Sequence, residues 1–101
     1  MSIRANETTY EVYELVSDTY GQDVMGEEPI GHALVSVRPE QVETAENPAY
    51  INASHIGITK DSTISHQHLL REVATGRTYK VVKNIKDVMR ANLLYLREEP
   101  V

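Results

Sequence analysis

Residues 32–38, HALVSVR, alternate cleanly: Ala33, Val35 and Val37 fall on one side, Leu34, Ser36 and Arg38 on the other. A period of two marks a half-buried strand, and Pro39 is expected to end it. The stretch at 9–17, TYEVYELVS, is rich in β-branched and aromatic residues and roughly alternates, with a slip between Val12 and Tyr13 that a bulge would absorb. Residues 54–60, SHIGITK, predict a third strand with Ile56 and Ile58 on one face and His55, Gly57 and Thr59 on the other. At 69–84, LLREVATGRTYKVVKN predicts a β-hairpin turning at Thr75-Gly76.

Between these strands the pattern lapses. Residues 18–31, DTYGQDVMGEEPIG, combine three glycines, a proline and four acids, and predict a long loop or a hairpin with a mobile tip. Residues 39–53, PEQVETAENPAYINA, predict a second long loop with at most two helical turns, which Asn47-Pro48 would stop. DSTISHQH, at 61–68, is a polar connector. The final segment is ambiguous. Asn84 suits a helix cap, with Ile85, Val88, Met89 and Leu96 on one helical face, whereas NLLYLRE also suits a strand buried on both sides.

Composition narrows the picture. A chain of 101 residues fits a single domain spanning 1–101. With no Trp and no Phe, its core must come from Val, Ile, Leu and six Tyr, whose hydroxyls favour edges and interfaces. A net charge of −5 argues against a grip on the phosphate backbone. The absence of cysteine excludes disulfides and thiol catalysis. No signal-peptide pattern and no run of about 20 apolar residues occurs, so the expectation is a small, soluble, acidic domain.

Catalytic chemistry finds little support. His66 and His68 in SHQH sit two apart and would begin a metal site only with a third ligand such as Asp61; a polar loop explains them more simply. His32 and His55 flank strands as ordinary edge histidines. The acid clusters at Glu27-Glu28, at Glu40, Glu43 and Glu46, and at Glu98-Glu99 have polar neighbours and read as solvated carboxylates. There is no phosphate loop and no nucleophile elbow. No catalytic, cofactor-binding or metal-ligating residue is therefore assigned, and the protein is not expected to be an enzyme.

Taken in order, YEVYELVSDTYGQDV, ALVSVRPEQVE, SHIGITKDSTIS, LLREVATGRTYKVVKNI and the closing NLLYLREE resemble the head-closure, or head–tail joining, proteins of long-tailed bacteriophages. The resemblance covers residues from about Tyr10 to Glu99 and rests on order and spacing. Its features are the Asp18–Gly21 loop, the Val37-x-Pro39 strand end with Glu43 soon after, the histidine-led isoleucine strand, the GRTYKV hairpin and the leucine-rich close. The chain departs from that pattern in lacking tryptophan and in ending its third strand with Thr59-Lys60 rather than Arg-Tyr.

The resemblance implies a mainly β fold: a small antiparallel β-barrel or sandwich with two long loops and one or two short helical turns at most. It also implies a short helical turn near 86–90 followed by a strand at about 92–97. It implies a homo-oligomeric ring in the virion neck, assembled in the host cytoplasm and needing no cofactor. Portal or adaptor protein would lie on the head side, and tail terminator or tail tube protein on the tail side. DNA would pass through without specific binding, and no membrane is involved. Tyr20, Val24 and Met25 in the first loop, and Val42 and Tyr50 in the second, are the candidate assembly-interface residues. They would order on ring formation, unless they fold back onto the subunit's own core. The rival readings are another neck ring such as a tail terminator, a small histidine-centred metal-dependent module, and a nucleic-acid-binding barrel.

Overall fold

Strand signals recur closely along this chain, so that consecutive strands mostly pair through short connections, while pairings of 10–14 with 68–72 and of 55–59 with 92–96 bring distant segments together. The computed structural model describes residues 7–46, 49–88 and 91–99, with backbone alone at 42–46, 49–51 and 86–88. Within them lie seven strands and no helix: β1 (Glu7–Ser17), β2 (Asp23–Met25), β3 (Gly31–Glu46), β4 (Ala49–Thr59), β5 (His68–Glu72), β6 (Thr78–Val88) and β7 (Ala91–Glu99). The ladder runs β1-β3-β4-β7-β6-β5 and returns from β5 to β1, closing a six-stranded antiparallel barrel. β2 lies outside this circuit and pairs only with the end of β1.

Closure depends on β1 serving two neighbours at once. Residues 7–12 pair with β3, and residues 10–14 pair with β5. The interior is filled by Tyr10, Val12, Ala33, Val35, Leu70, Tyr79, Val81, Leu94 and Leu96. Ile64, from the 61–68 connector, joins them and is only 1% exposed. Asn84 Nδ2 donates to the Ile64 carbonyl at 2.6 Å, tying this plug to β6. The connector's polar sequence hid a core residue.

β4 turns its face opposite to the one its isoleucines suggest. Gly57 faces inward, where an added Cβ would lie 3.0 Å from Val35 Cγ1 and 3.1 Å from Leu96 Cδ1. By alternation, His55 and Thr59 share that side, while Ile56 and Ile58 point outward beside Tyr95 and Leu93. A narrow six-stranded barrel lacks room for large residues on every wall, and β4 supplies the small one.

Several expectations need correction. β1 has no bulge at Val12-Tyr13, since its pairing with β5 runs unbroken from Tyr10 to Glu14. Tyr13 lies on the outer face opposite Leu69, and both are buried there, so β1 is apolar on two faces and the alternation slips. Residues 39–46 and 49–53 form neither a long loop nor helical turns. β3 continues past Pro39 through a register shift before Val42, and β3 and β4 pair as far as Glu46↔Ala49. The shift accommodates a proline that a regular ladder would reject. The Gln41 amide also bridges to Asn52 Oδ1 at 3.1 Å. Residues 86–88 belong to β6 instead of a helical turn, and Asn84 caps no helix. The strand expected at 92–97 lies within β7, and the Thr75-Gly76 hairpin forms as expected, with Gly76 at φ 78°. Asn47-Pro48 and residues 89–90 lie outside the described residues.

Candidate assembly surfaces

Two elements extend beyond the closed barrel. The first is the β1–β2 hairpin. Its tip is a hydrogen-bonded turn: Asp18 Oδ1 accepts the Tyr20 and Gln22 N–H groups at 2.8 and 2.9 Å. The Asp18 N–H donates to the Gln22 carbonyl at 2.8 Å, and Gly21 takes a φ of 79° that a side chain would strain. The long first loop is thus largely a short, organised hairpin. Tyr20 stands at its tip, 88% exposed, and Val24 on β2 is exposed opposite Val16. Met25 differs. Half-buried opposite Leu15, it lines, together with Asp23 and Val24, a depression of about 520 Å³ bordered by Leu69, Arg71, Thr78 and Glu99. Met25 therefore packs partly against its own subunit.

The second element is the arm formed by the distal halves of β3 and β4. β7 accompanies β4 only from Thr59 to His55, whereas β3 accompanies it to Ala49. The arm therefore outruns the β4–β7 ladder by about 20 Å at strand rise. Val42 pairs with Ala53, and Tyr50 pairs with Ala45, so both candidates sit on arm strands. Their side chains lie outside the described residues. The sequence had no means of joining these two elements, and among the described residues no strand pairing links them.

The mouth of the barrel nearest β4's His55 gathers groups that sequence reading did not connect. Tyr10 and Tyr79 stand with ring centroids 6.3 Å apart, and His55 packs edge-on to Tyr79 at 4.9 Å. Together with Thr8, Glu72 and Arg77 they border a recess of about 370 Å³. Burial pushes the Tyr10 hydroxyl up to about 12, partly offset by a hydrogen bond with Thr8. Burial also raises Tyr79, against the lowering effect of its hydrogen bond with Arg77. That same bond raises the Arg77 guanidinium. Both phenols are thereby held neutral, as packing and hydrogen-bonding groups. Ser54 Oγ lies 2.9 Å from His55 Nδ1 and accepts the Glu98 N–H at 3.0 Å, which ties the end of β7 to β4. The signal available in sequence was the period-two placement of Tyr79 and His55, without the register that joins them.

The remaining histidines separate. His66 is exposed, while His68 Nδ1 accepts the Ser65 N–H at 3.0 Å and serves the connector's own fold. Among the described residues no group of three or more His, Cys, Asp or Glu is placed to hold a metal ion. No helix there is long and apolar enough to cross a membrane. No family model, curated protein or solved structure matches the chain.

Proposed function

We propose that this chain is a structural subunit of the phage neck, forming a ring beneath the portal that closes the DNA channel and offers the tail its attachment surface. The observation that carries this reading is a closed barrel bearing two projecting β elements. Closure satisfies the barrel's own sheet edges, so its stability needs no partner. The β1–β2 hairpin and the β3–β4 arm remain for contacts between copies. A two-stranded ribbon is marginal alone and gains stability when something packs on it. The order of strands and turns that resembles head-closure proteins supplies the location. Net negative charge suits a channel wall that lets DNA slide past.

The test is negative-stain microscopy of lysates from a phage lacking this gene. Emptied heads beside complete, unattached tails are expected. Stable full heads beside tails of uncontrolled length would reassign the subunit to the terminator ring, and normal infectious particles would overturn the neck reading.

A further inference from the structure

Charge is segregated along this chain, and the fold turns that segregation into two unlike surfaces. Residues 7–37 hold seven acids and no Lys or Arg. They form β1, the hairpin and the first half of β3. Asp18 is engaged in the turn, but Asp23, Glu27 and Glu28 are exposed, and none has a cationic partner among the described residues. Set among these acids are four exposed apolar residues: Val16, Tyr20, Val24 and Ile30. Tyr20 is held outward by a rigid turn, so ordering it on a partner costs little entropy.

The complementary surface lies on β6 and β7. Lys80 and Arg97 stand directly opposite each other across the ladder. Their neighbours Tyr79, Val81 and Leu96 point into the core, so both cations face outward. Like charges in that position oppose pairing, and neither has an acidic partner among the described residues. Beside them runs a half-buried apolar row: Tyr95 stands between Lys83 and Ile56, the latter only 5% exposed, and Leu93 between Ile58 and Ile85. The hairpin is apolar with an acidic border; this wall is apolar with a basic one.

We infer that the β1–β2 hairpin of one copy docks on the outer β6–β7 wall of a second copy, with Tyr20 against the Tyr95–Leu93 row and Asp23, Glu27 and Glu28 facing Lys80 and Arg97. The inference rests on the ring reading above and names the two faces that would make the ring. Because the faces differ, the contact is head-to-tail, the type that closes rings. It accounts for an otherwise costly Lys80–Arg97 pair and for apolar residues exposed on a well-formed turn. Charge matching would also set register and exclude wrong pairings.

A charge-swap experiment on the full chain tests this by sedimentation velocity up to millimolar concentration. One variant carries D23K, E27K and E28K; the other carries K80E and R97E. Each is expected to lose association by about tenfold or more, and mixing the two is expected to restore it, since each then presents the face its counterpart lacks. Far-UV circular dichroism checks both folds; if K80E unfolds the half-buried position, R97E alone replaces it. Variants that associate like the parent would overturn the pairing, as would folded variants whose mixture stays monomeric. A parent monomeric throughout would overturn it too, and so would a β6–β7 wall whose charge reversal abolished duplex DNA binding without changing self-association. None of these outcomes bears on the lysate micrographs, which decide the neck reading independently.

Discussion

Gly57→Ala places one methyl group where the barrel has the least room. The new Cβ would sit 3.0 Å from Val35 Cγ1, 3.1 Å from Leu96 Cδ1 and 3.6 Å from Val37 Cγ2. Val35 and Leu96 are fully buried core side chains, and Val37 packs half-buried against them. All three stand on strands with ladders on both sides, so the two buried ones cannot swing aside as a surface chain would. Overpacking of this kind costs about 1–3 kcal/mol, a large share of the roughly 5–15 kcal/mol that stabilises a small domain. The assay is urea unfolding of Gly57→Ala, Val35→Ala and the double variant. Val35→Ala alone should cost about 2 kcal/mol through lost burial and the cavity left behind. In the double variant the added methyl occupies space that Val35 vacated, so the combined loss should fall short of the sum by about 1 kcal/mol or more. Additive losses would mean that position 57 does not face Val35, and the barrel register would be wrong. A Gly57→Ala protein as stable as the parent would refute the close approach itself.

Other positions test other parts of the architecture. Ile64→Ala should cost about 2–4 kcal/mol by calorimetry or urea unfolding, because the connector plugs the core; a cost below about 0.5 kcal/mol would show that it does not. Thr59→Val keeps the shape but removes a hydroxyl that donates to the Leu34 carbonyl at 2.9 Å and accepts the Asp61 N–H at 3.1 Å. It should destabilise by about 1–3 kcal/mol, with faster amide exchange at Asp61. Tyr10 titrates near 10 when unfolded and near 12 when folded, so the folded state holds its proton more tightly. That contribution is complete below about pH 10 and is lost as pH rises toward 12, of order 1–2 kcal/mol given the partial solvation of the mouth. Tyr10→Phe should remove this part of the alkaline loss in urea midpoints compared between about pH 9 and pH 12; an unchanged pH profile would place the hydroxyl in water.

Much of the barrel was legible because its strands obey local rules. HALVSVR alternates, and Ala33 and Val35 do face the core. Thr75-Gly76 turns where a glycine with positive φ is needed. Illegible features depended on distant chain. Tyr13 breaks the alternation because Leu69, 56 positions later, pairs with it and both are buried on the outer face. Ile64 reads as loop because its neighbours are polar, and only closure of the barrel makes its position a core site. Pro39 normally ends a strand, yet β4 carries the pairing past it through a register shift. The candidate surfaces were half legible. Tyr20 and Val24 are exposed as their setting implied, but Met25 found Leu15. Lys80 and Arg97 lie 17 residues apart and became a pair only through the β6–β7 register.

That register also explains why the interaction surfaces sit where they do. In a narrow barrel most inward positions are taken by Val, Leu and Tyr from five strands, leaving β4 to contribute Gly57 and turn its isoleucines outward. Ile56 and Ile58 then meet Tyr95 and Leu93 on the outer wall, which becomes apolar beside the Lys80–Arg97 pair. An apolar outer row is thus a consequence of filling a small interior. Its residues are half-buried or, for Ile56, buried, and in the contact proposed above a basic border meeting an acidic hairpin would restrict association to one partner and one orientation. The same economy that closes the barrel therefore leaves one apolar row and one hairpin as the surfaces on which the proposed contact between copies rests.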